Sequence, residues 1–144
     1  MATRKLYSPG IFGVHLQVRD LDRSVTFYRD ALGLEVDWDD GTLAVLRSPG
    51  DTGDLLALRE IGESALHHFG ESGVNRLFWR VGDQIDLDSI EERLARHSVS
   101  YTRHRDKEPE GISVHDPDGL GITMIRADQA PIAGAPPAML YWKD

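Results

Sequence analysis

From Val14 to Arg19 apolar and polar side chains alternate: Val14, Leu16 and Val18 fall on one side, His15, Gln17 and Arg19 on the other. That is the period of a half-buried strand. Asp20 follows in the place of a helix N-cap, where its carboxylate accepts the unpaired N–H groups of the first turn. Leu21, Val25, Tyr28 and Leu32 then recur at i, i+4, i+7 and i+11, which predicts one apolar helical stripe, and Gly33 ends it as a left-handed residue. Three strand-like runs come next, at 34–39, 42–47 and 54–60. Asp40-Gly41 between the first two is a hairpin signal, and Ser48-Pro49-Gly50-Asp51-Thr52-Gly53 turns the chain before the third. Residues 11–60 thus read as β-α-β-β-β.

The second half repeats the pattern. A strand is predicted at 74–81, followed by a helix on which Asp88 and Glu91 form a capping box and Leu87, Ile90 and Leu94 share one face. Strands at 99–103, 111–115 and 120–126 follow. Asp116-Pro117-Asp118-Gly119 joins the last two, with Pro presetting φ and Gly supplying a positive φ. The two helices are expected to start about 66 residues apart, an internal repeat of one supersecondary unit. The organisation is therefore an N-terminal arm (1–10), module 1 (11–60), a linker (61–73), module 2 (74–127) and an Ala- and Pro-rich C-terminal tail (128–144), in the α+β class. His67 and His68 in the linker point apart and read as a solvated loop. The closing Met139-Leu140-Tyr141-Trp142 suggests docking, on a second subunit or elsewhere, against the alternative of a frayed terminus.

Composition narrows the function. The chain has 144 residues, a net charge of −8 and no cysteine. Disulfides, thiolate metal sites and cysteine nucleophiles are excluded, and the acidic balance disfavours nucleic acid. Neither an apolar run of membrane-spanning length nor a secretory signal is present. The expectation is a cytoplasmic protein that handles a small molecule or another protein, with no membrane partner.

The paired β-α-β-β-β modules, the run from Gly13-Val14-His15-Leu16 through Phe27-Tyr28 to Leu32-Gly33, and the Asp116-Pro117-Asp118-Gly119 turn resemble the vicinal oxygen chelate superfamily, which contains glyoxalases, bleomycin resistance proteins and extradiol dioxygenases. The resemblance spans residues 11 to 127. It implies two βαβββ modules whose mixed sheet curls into a cup with helices outside, a homodimer, and a divalent metal (Zn, Ni, Mn or Fe) held by His, Gln or Glu from the first and last strand of each module. The superfamily hosts lyases, isomerases, dioxygenases, thiol transferases and binding proteins, so it fixes the fold more tightly than the reaction.

Carried over by position, the metal ligands fall on His15, Ala57, Arg76 and Thr123. Only His15 keeps a donor. Alanine has none, and the Arg76 guanidinium stays protonated at any working pH. A unit charge about 4 Å from a divalent ion is opposed by roughly 8 kcal/mol at an effective dielectric near 20. The usual metal site is therefore expected to be lost, leaving no cofactor, with a divalent metal as the alternative. Arg76 then reads in two ways: paired with a neighbouring carboxylate, or replacing the metal's charge to bind a carboxylate, phosphate or enolate, with Thr123 donating to the same ligand. Phe78 shares the face of Arg76 and is a candidate for stacking on a ligand, while Trp79 points to the helices. His15 is either a metal ligand or a polar pocket or core histidine, and with His104 it is a candidate for acid–base catalysis. His104 lies about where ring-cleaving members carry an acid–base histidine, although their tyrosine is replaced by Ser113. The preferred function is binding or sequestration of a small organic molecule in the cup. The alternative is a metal-dependent lyase, isomerase or extradiol-type dioxygenase with a shifted ligand set. A metal-free acid–base enzyme and a subunit with a vestigial cup remain further readings.

Overall fold

The computed structural model describes residues 11–49, 54–65, 73–74, 76–82, 84–107, 109–126 and 128, with 84 and 85 by backbone only. His67, His68, the N-terminal arm and Met139-Leu140-Tyr141-Trp142 lie outside the described residues. The elements are β1 (Gly13–Val18), α1 (Leu21–Thr26), β2 (Glu35–Asp39), β3 (Leu43–Arg47), β4 (Leu55–Glu60), β5 (Arg76–Val81), α2 (Gln84–Arg96), β6 (Tyr101–His104), β7 (Gly111–His115) and β8 (Gly121–Arg126). They form two four-stranded mixed sheets of identical topology, β1-β4-β3-β2 and β5-β8-β7-β6. In each, the first strand runs parallel to the fourth and the remaining pairs are antiparallel. This is the α+β, two-module cup fold, with the mixed sheet divided into two ladders.

Asp20 caps α1 as expected, its Oδ1 accepting from the Arg23 amide at 2.9 Å. Glu60, the last residue of β4, accepts from the Leu21 amide at 3.0 Å, tying the helix start to the far end of the module. The predicted stripe is buried: Leu21, Val25, Tyr28 and Leu32 are all in the core. The helix does not stay α-helical, however. Residues Phe27–Ala31 wind as a π-turn, with the Leu32 amide reaching back to the Phe27 carbonyl at 3.2 Å. The wider turn buries Phe27, Tyr28 and Ala31 together, a demand of packing that periodicity does not reveal. Gly33 has φ +82°, and the Arg93 guanidinium fills the space a Cβ would need.

Helix α2 begins at Gln84, four residues before the predicted capping box. Asp88 and Glu91 therefore sit within the helix and bind Arg103 on β6 instead. Leu21 and Gln84 open the helices, and Gly13 and Arg76 the first strands, both at an interval of 63 residues; Leu55 and Gly121 open the last strands at 66. The offset of 66 thus fails for the helices but holds for the second strands, Glu35 and Tyr101, as well as for the last, because module 2 carries three more residues between its helix start and its second strand.

One continuous core joins the modules. Leu87 and Leu94 from α2 pack with Tyr28, Leu46, Leu58, Ile112, Ile122 and Met124. Alternation sends Val14, Leu16 and Val18 of β1 and Leu77, Trp79 and Val81 of β5 to that side. His15, Gln17, Phe78 and Arg80 face away from the helices and are exposed.

Candidate functional site

In module 2 the face turned away from the helices carries a line of polar side chains, one per strand. Ladder registers place Arg76 beside Gly121, Thr123 beside Ser113, and His104 beside Gly111. Arg76 Nη1 donates to Thr123 Oγ1 at 2.7 Å. Thr123 Oγ1 lies 3.1 Å from Ser113 Oγ, and Ser113 Oγ lies 3.0 Å from His104 Nε2. The chain runs β5–β8–β7–β6, the full width of the sheet. Thr123 is 1% exposed, Ser113 4% and His104 6%, so the hydroxyls and the imidazole are buried. Arg76 lies over Gly121, where a Cβ would come within 3.1 Å of its Cζ. Glycine at 121 thus leaves room for the guanidinium, which a Cβ would push aside by a few tenths of an ångström.

Arg76, Thr123 and His104 are accordingly brought together by the fold, and Ser113 is the link between them. Thr123, expected to donate to a ligand, accepts from Arg76 and so serves as its anchor. Phe78, 38% exposed, shares the β5 face with Arg76 and Arg80 and lies beside Thr123 in the ladder. Sequence reasoning placed Ser113 only as a missing tyrosine. Its role follows from the Thr123 register, which no local pattern reveals.

His15 and Ala57 belong to the other sheet, where they face each other across β1 and β4. They hold the third place of their ladder, as Phe78 and Thr123 do in module 2; the structural counterpart of Arg76 is Gly13, not His15. The triplets ending in Asp20 and Asp83, at the same interval of 63, carry that register in the sequence. His15 borders a groove of ≈ 390 Å³ lined by Ile11, Phe12, Gly13, Val14 and Leu55. As a donor set, one imidazole, a methyl group, a guanidinium and an alcohol already accepting from that guanidinium do not fit a divalent ion. Among the described residues no group of three His, Asp or Glu side chains is placed to hold one.

Two further buried constellations support the site from behind. Tyr28 in the π-turn donates to Asp116 Oδ2 at 2.7 Å, and the amides of Asp118 and Leu120 donate to Oδ1 at 2.9 and 2.8 Å. Burial raises the Asp116 pKa against the pull of these donors, and burial also pushes the Tyr28 phenol up. Tyr28 packs on Trp79 at 6.1 Å, so the DPDG turn, β5 and the first helix meet at one point. On the helix side of β6, the 5%-exposed Arg103 side chain donates to Asp88, Glu91 and Glu110 at 2.6–3.1 Å. Burial opposes its charge, but these carboxylates outweigh it and raise the Arg103 pKa. Arg126 reaches the other Glu110 oxygen at 3.5 Å.

Comparison with known proteins follows the fold. A family model described as the Glyoxalase/Bleomycin resistance protein/Dioxygenase superfamily matches residues 10–124. A glyoxylase/bleomycin resistance protein/dioxygenase domain from Frankia sp. EAN1pec is 26% identical, with a TM-score of 0.69 over 83% of this chain and 98% of that one. Lactoylglutathione lyase from Agrobacterium tumefaciens is 19% identical, with a TM-score of 0.65 over 87% and 98%. A fosfomycin resistance protein from Listeria monocytogenes is 17% identical, with a TM-score of 0.64 over 84% and 95%. A comparison with curated proteins finds no match.

Proposed function

The chain belongs to the glyoxalase/bleomycin resistance protein/dioxygenase superfamily, and from that premise we propose that it binds a small organic anion in the module 2 cup without the superfamily's usual metal. The observation that carries this reading is the Arg76–Thr123 hydrogen bond, which fixes a permanent cation on the face of β5 turned away from the helices. A guanidinium offers its donors in a planar fork that suits carboxylate, phosphate or phosphonate oxygens. Phe78, next but one on the same face, supplies an apolar surface for a ring attached to that anion. Sequestration of such a molecule, as a resistance-type binding protein, is the form favoured by a site built from an anchor and a stacking surface. Pairing of two chains belongs to the same reading. Exposed Ile11, Phe12 and Val74 gather apolar surface at the starts of the edge strands β1 and β5.

Calorimetric titration with phenylphosphonate, and with benzamide as a neutral counterpart, tests the proposal. Phenylphosphonate is expected to bind and benzamide not, and Arg76→Met is expected to abolish binding without unfolding the protein. Equal binding of both probes, or binding untouched by Arg76→Met, would overturn it. Elemental analysis after incubation with Zn, Ni, Mn and Fe(II) separates the alternative. Near one equivalent per chain, lost in His15→Ala, would favour a metal-dependent lyase, isomerase or extradiol-type dioxygenase with a shifted ligand set.

A further inference from the structure

Strand β2 does not keep one register along β3. Val36 pairs with Leu46, but the next pair in the ladder is Trp38 with Val45, so Asp37 is an extra residue and the pairing slips by one. Directly opposed residues of an antiparallel pair share a face. Leu46 is fully buried on the helix side, and so is Ala44, which unbroken pairing would set opposite Trp38. The slip therefore takes Trp38 off the side that Val36 follows and turns it onto the face away from the helices, where it is 58% exposed. Asp37, at the slip, accepts from Arg47 Nε at 2.9 Å. The indole N–H lies toward the hairpin and joins the Thr42 and Leu43 donors that hold the Asp40 carboxyl down at about 2.

On this open face the registers set one residue per strand in a row: His15, Ala57, Val45 and Trp38 across β1-β4-β3-β2. An imidazole and an indole stand at its ends, about 14 Å apart over three strand spacings. Between them lie a methyl and an isopropyl group, both half-buried, which make an apolar floor. In the next row Gln17 and Leu43 flank Arg59. Arg47 on this face is matched by Asp37, whereas the exposed Arg59 guanidinium has no carboxylate partner among the described residues. A cation beside an apolar floor with an aromatic wall selects a flat ring that carries a negative charge.

We infer that the open face of module 1 is a second binding site, for an aromatic carboxylate whose ring leans on the Trp38 indole above Val45 and Ala57 and whose anion meets Arg59. Turning an indole outward forgoes the burial that the helix side offered it, and a ring seated against it returns that burial. The site shares no residue with the Arg76 site and does not depend on the reading of that one.

Titration with 2-naphthoate, followed through the Trp38 indole proton–nitrogen resonance, tests this; the resonance is assigned by its loss in Trp38→Phe. Saturable movement is expected, and it is expected to persist in Arg76→Met. 2-Naphthamide keeps the ring without the charge, and cyclohexanecarboxylate the charge without the aromatic ring; each is expected to bind about tenfold more weakly. Arg59→Met is expected to weaken 2-naphthoate about tenfold, the scale of a charge-assisted hydrogen bond. Calorimetry in the Arg76→Met background is expected to show Trp38→Leu weakening it about fivefold, the scale of an aromatic pair. Both side chains are exposed, so neither variant is expected to lower the melting temperature. A still Trp38 resonance, movement lost in Arg76→Met, or affinity untouched by Arg59→Met would overturn the inference. So would movement with protein concentration alone, which would seat a second copy on this face. Failure of phenylphosphonate to bind would sink the Arg76 reading and leave this one standing.

Discussion

Replacing Tyr28 with Phe removes one oxygen and leaves the packing of the ring on Phe27 and Trp79 in place. Its whole effect therefore falls on Asp116. That carboxylate has its Oδ1 held by two backbone amides, but Tyr28 is the donor to Oδ2. Losing a hydrogen bond to a charged, buried acceptor costs about 1.5–3 kcal/mol, and at neutral pH the variant is expected to lose about that much stability. The cost depends on pH in a definite sense. Asp116 has a folded pKa above the unfolded value of about 3.9, because burial outweighs its donors. The folded state thus holds its proton longer, and the group's contribution declines as pH rises through the window between the two values. Removing the Tyr28 donor, which favours the ionised form, lifts the folded pKa further. The difference between variant and wild type is then largest near pH 7. Near pH 4 it shrinks toward the ~1 kcal/mol of a neutral hydrogen bond, since Asp116 is protonated in more of the folded protein. Urea unfolding at both pH values measures this. A difference that is flat with pH, or grows in acid, would refute the assignment of Asp116 as the ionised partner.

Two further expectations concern the supports of the site. Arg103→Met removes the common partner of Asp88, Glu91 and Glu110 and leaves the 11%-exposed Glu110 side chain with Arg126 at 3.5 Å. A loss of about 3 kcal/mol is expected, little changed by added salt because the guanidinium is buried. A loss under ~1 kcal/mol in urea melts would show that the network is solvated. Gly121→Ala places a methyl within 3.1 Å of Arg76 Cζ and must move the guanidinium. Phenylphosphonate titration is expected to show weakened binding with the melting temperature nearly unchanged, and unaltered affinity would mean that Arg76 does not lie over β8.

Much of the fold was legible because its elements announce themselves locally. The alternation at Val14–Val18, the Asp20 cap, Gly33 and the DPDG turn are all signals of short range, and the strands fell within one or two residues of their predicted bounds. The π-turn at Phe27–Ala31 was not legible, because it answers to Trp79 and Asp116, which lie far along the chain. The start of α2 was missed for a related reason: Asp88 and Glu91 have the spacing of a capping box, but their partner is Arg103 across the module. At the candidate site, Arg76 and Thr123 were visible as residues and invisible as a pair. Their contact depends on the parallel register of β5 and β8, which is set by the closure of the whole module.

The two sheets share no ladder among the described residues, and what joins them is side-chain contact: one shared core, in which Leu46 and Leu58 meet Leu87 and Leu94, and the Tyr28–Asp116 hydrogen bond. Mechanically, the molecule is two stiff plates on a soft joint. Every rung of a ladder resists shear with backbone hydrogen bonds, whereas the joint resists with interdigitated side chains, of which Tyr28 on Trp79 and Arg93 in the notch of Gly33 are the described examples. On the proposed binding reading, a bulky guest would be met by tilting one plate against the other rather than by bending a ladder.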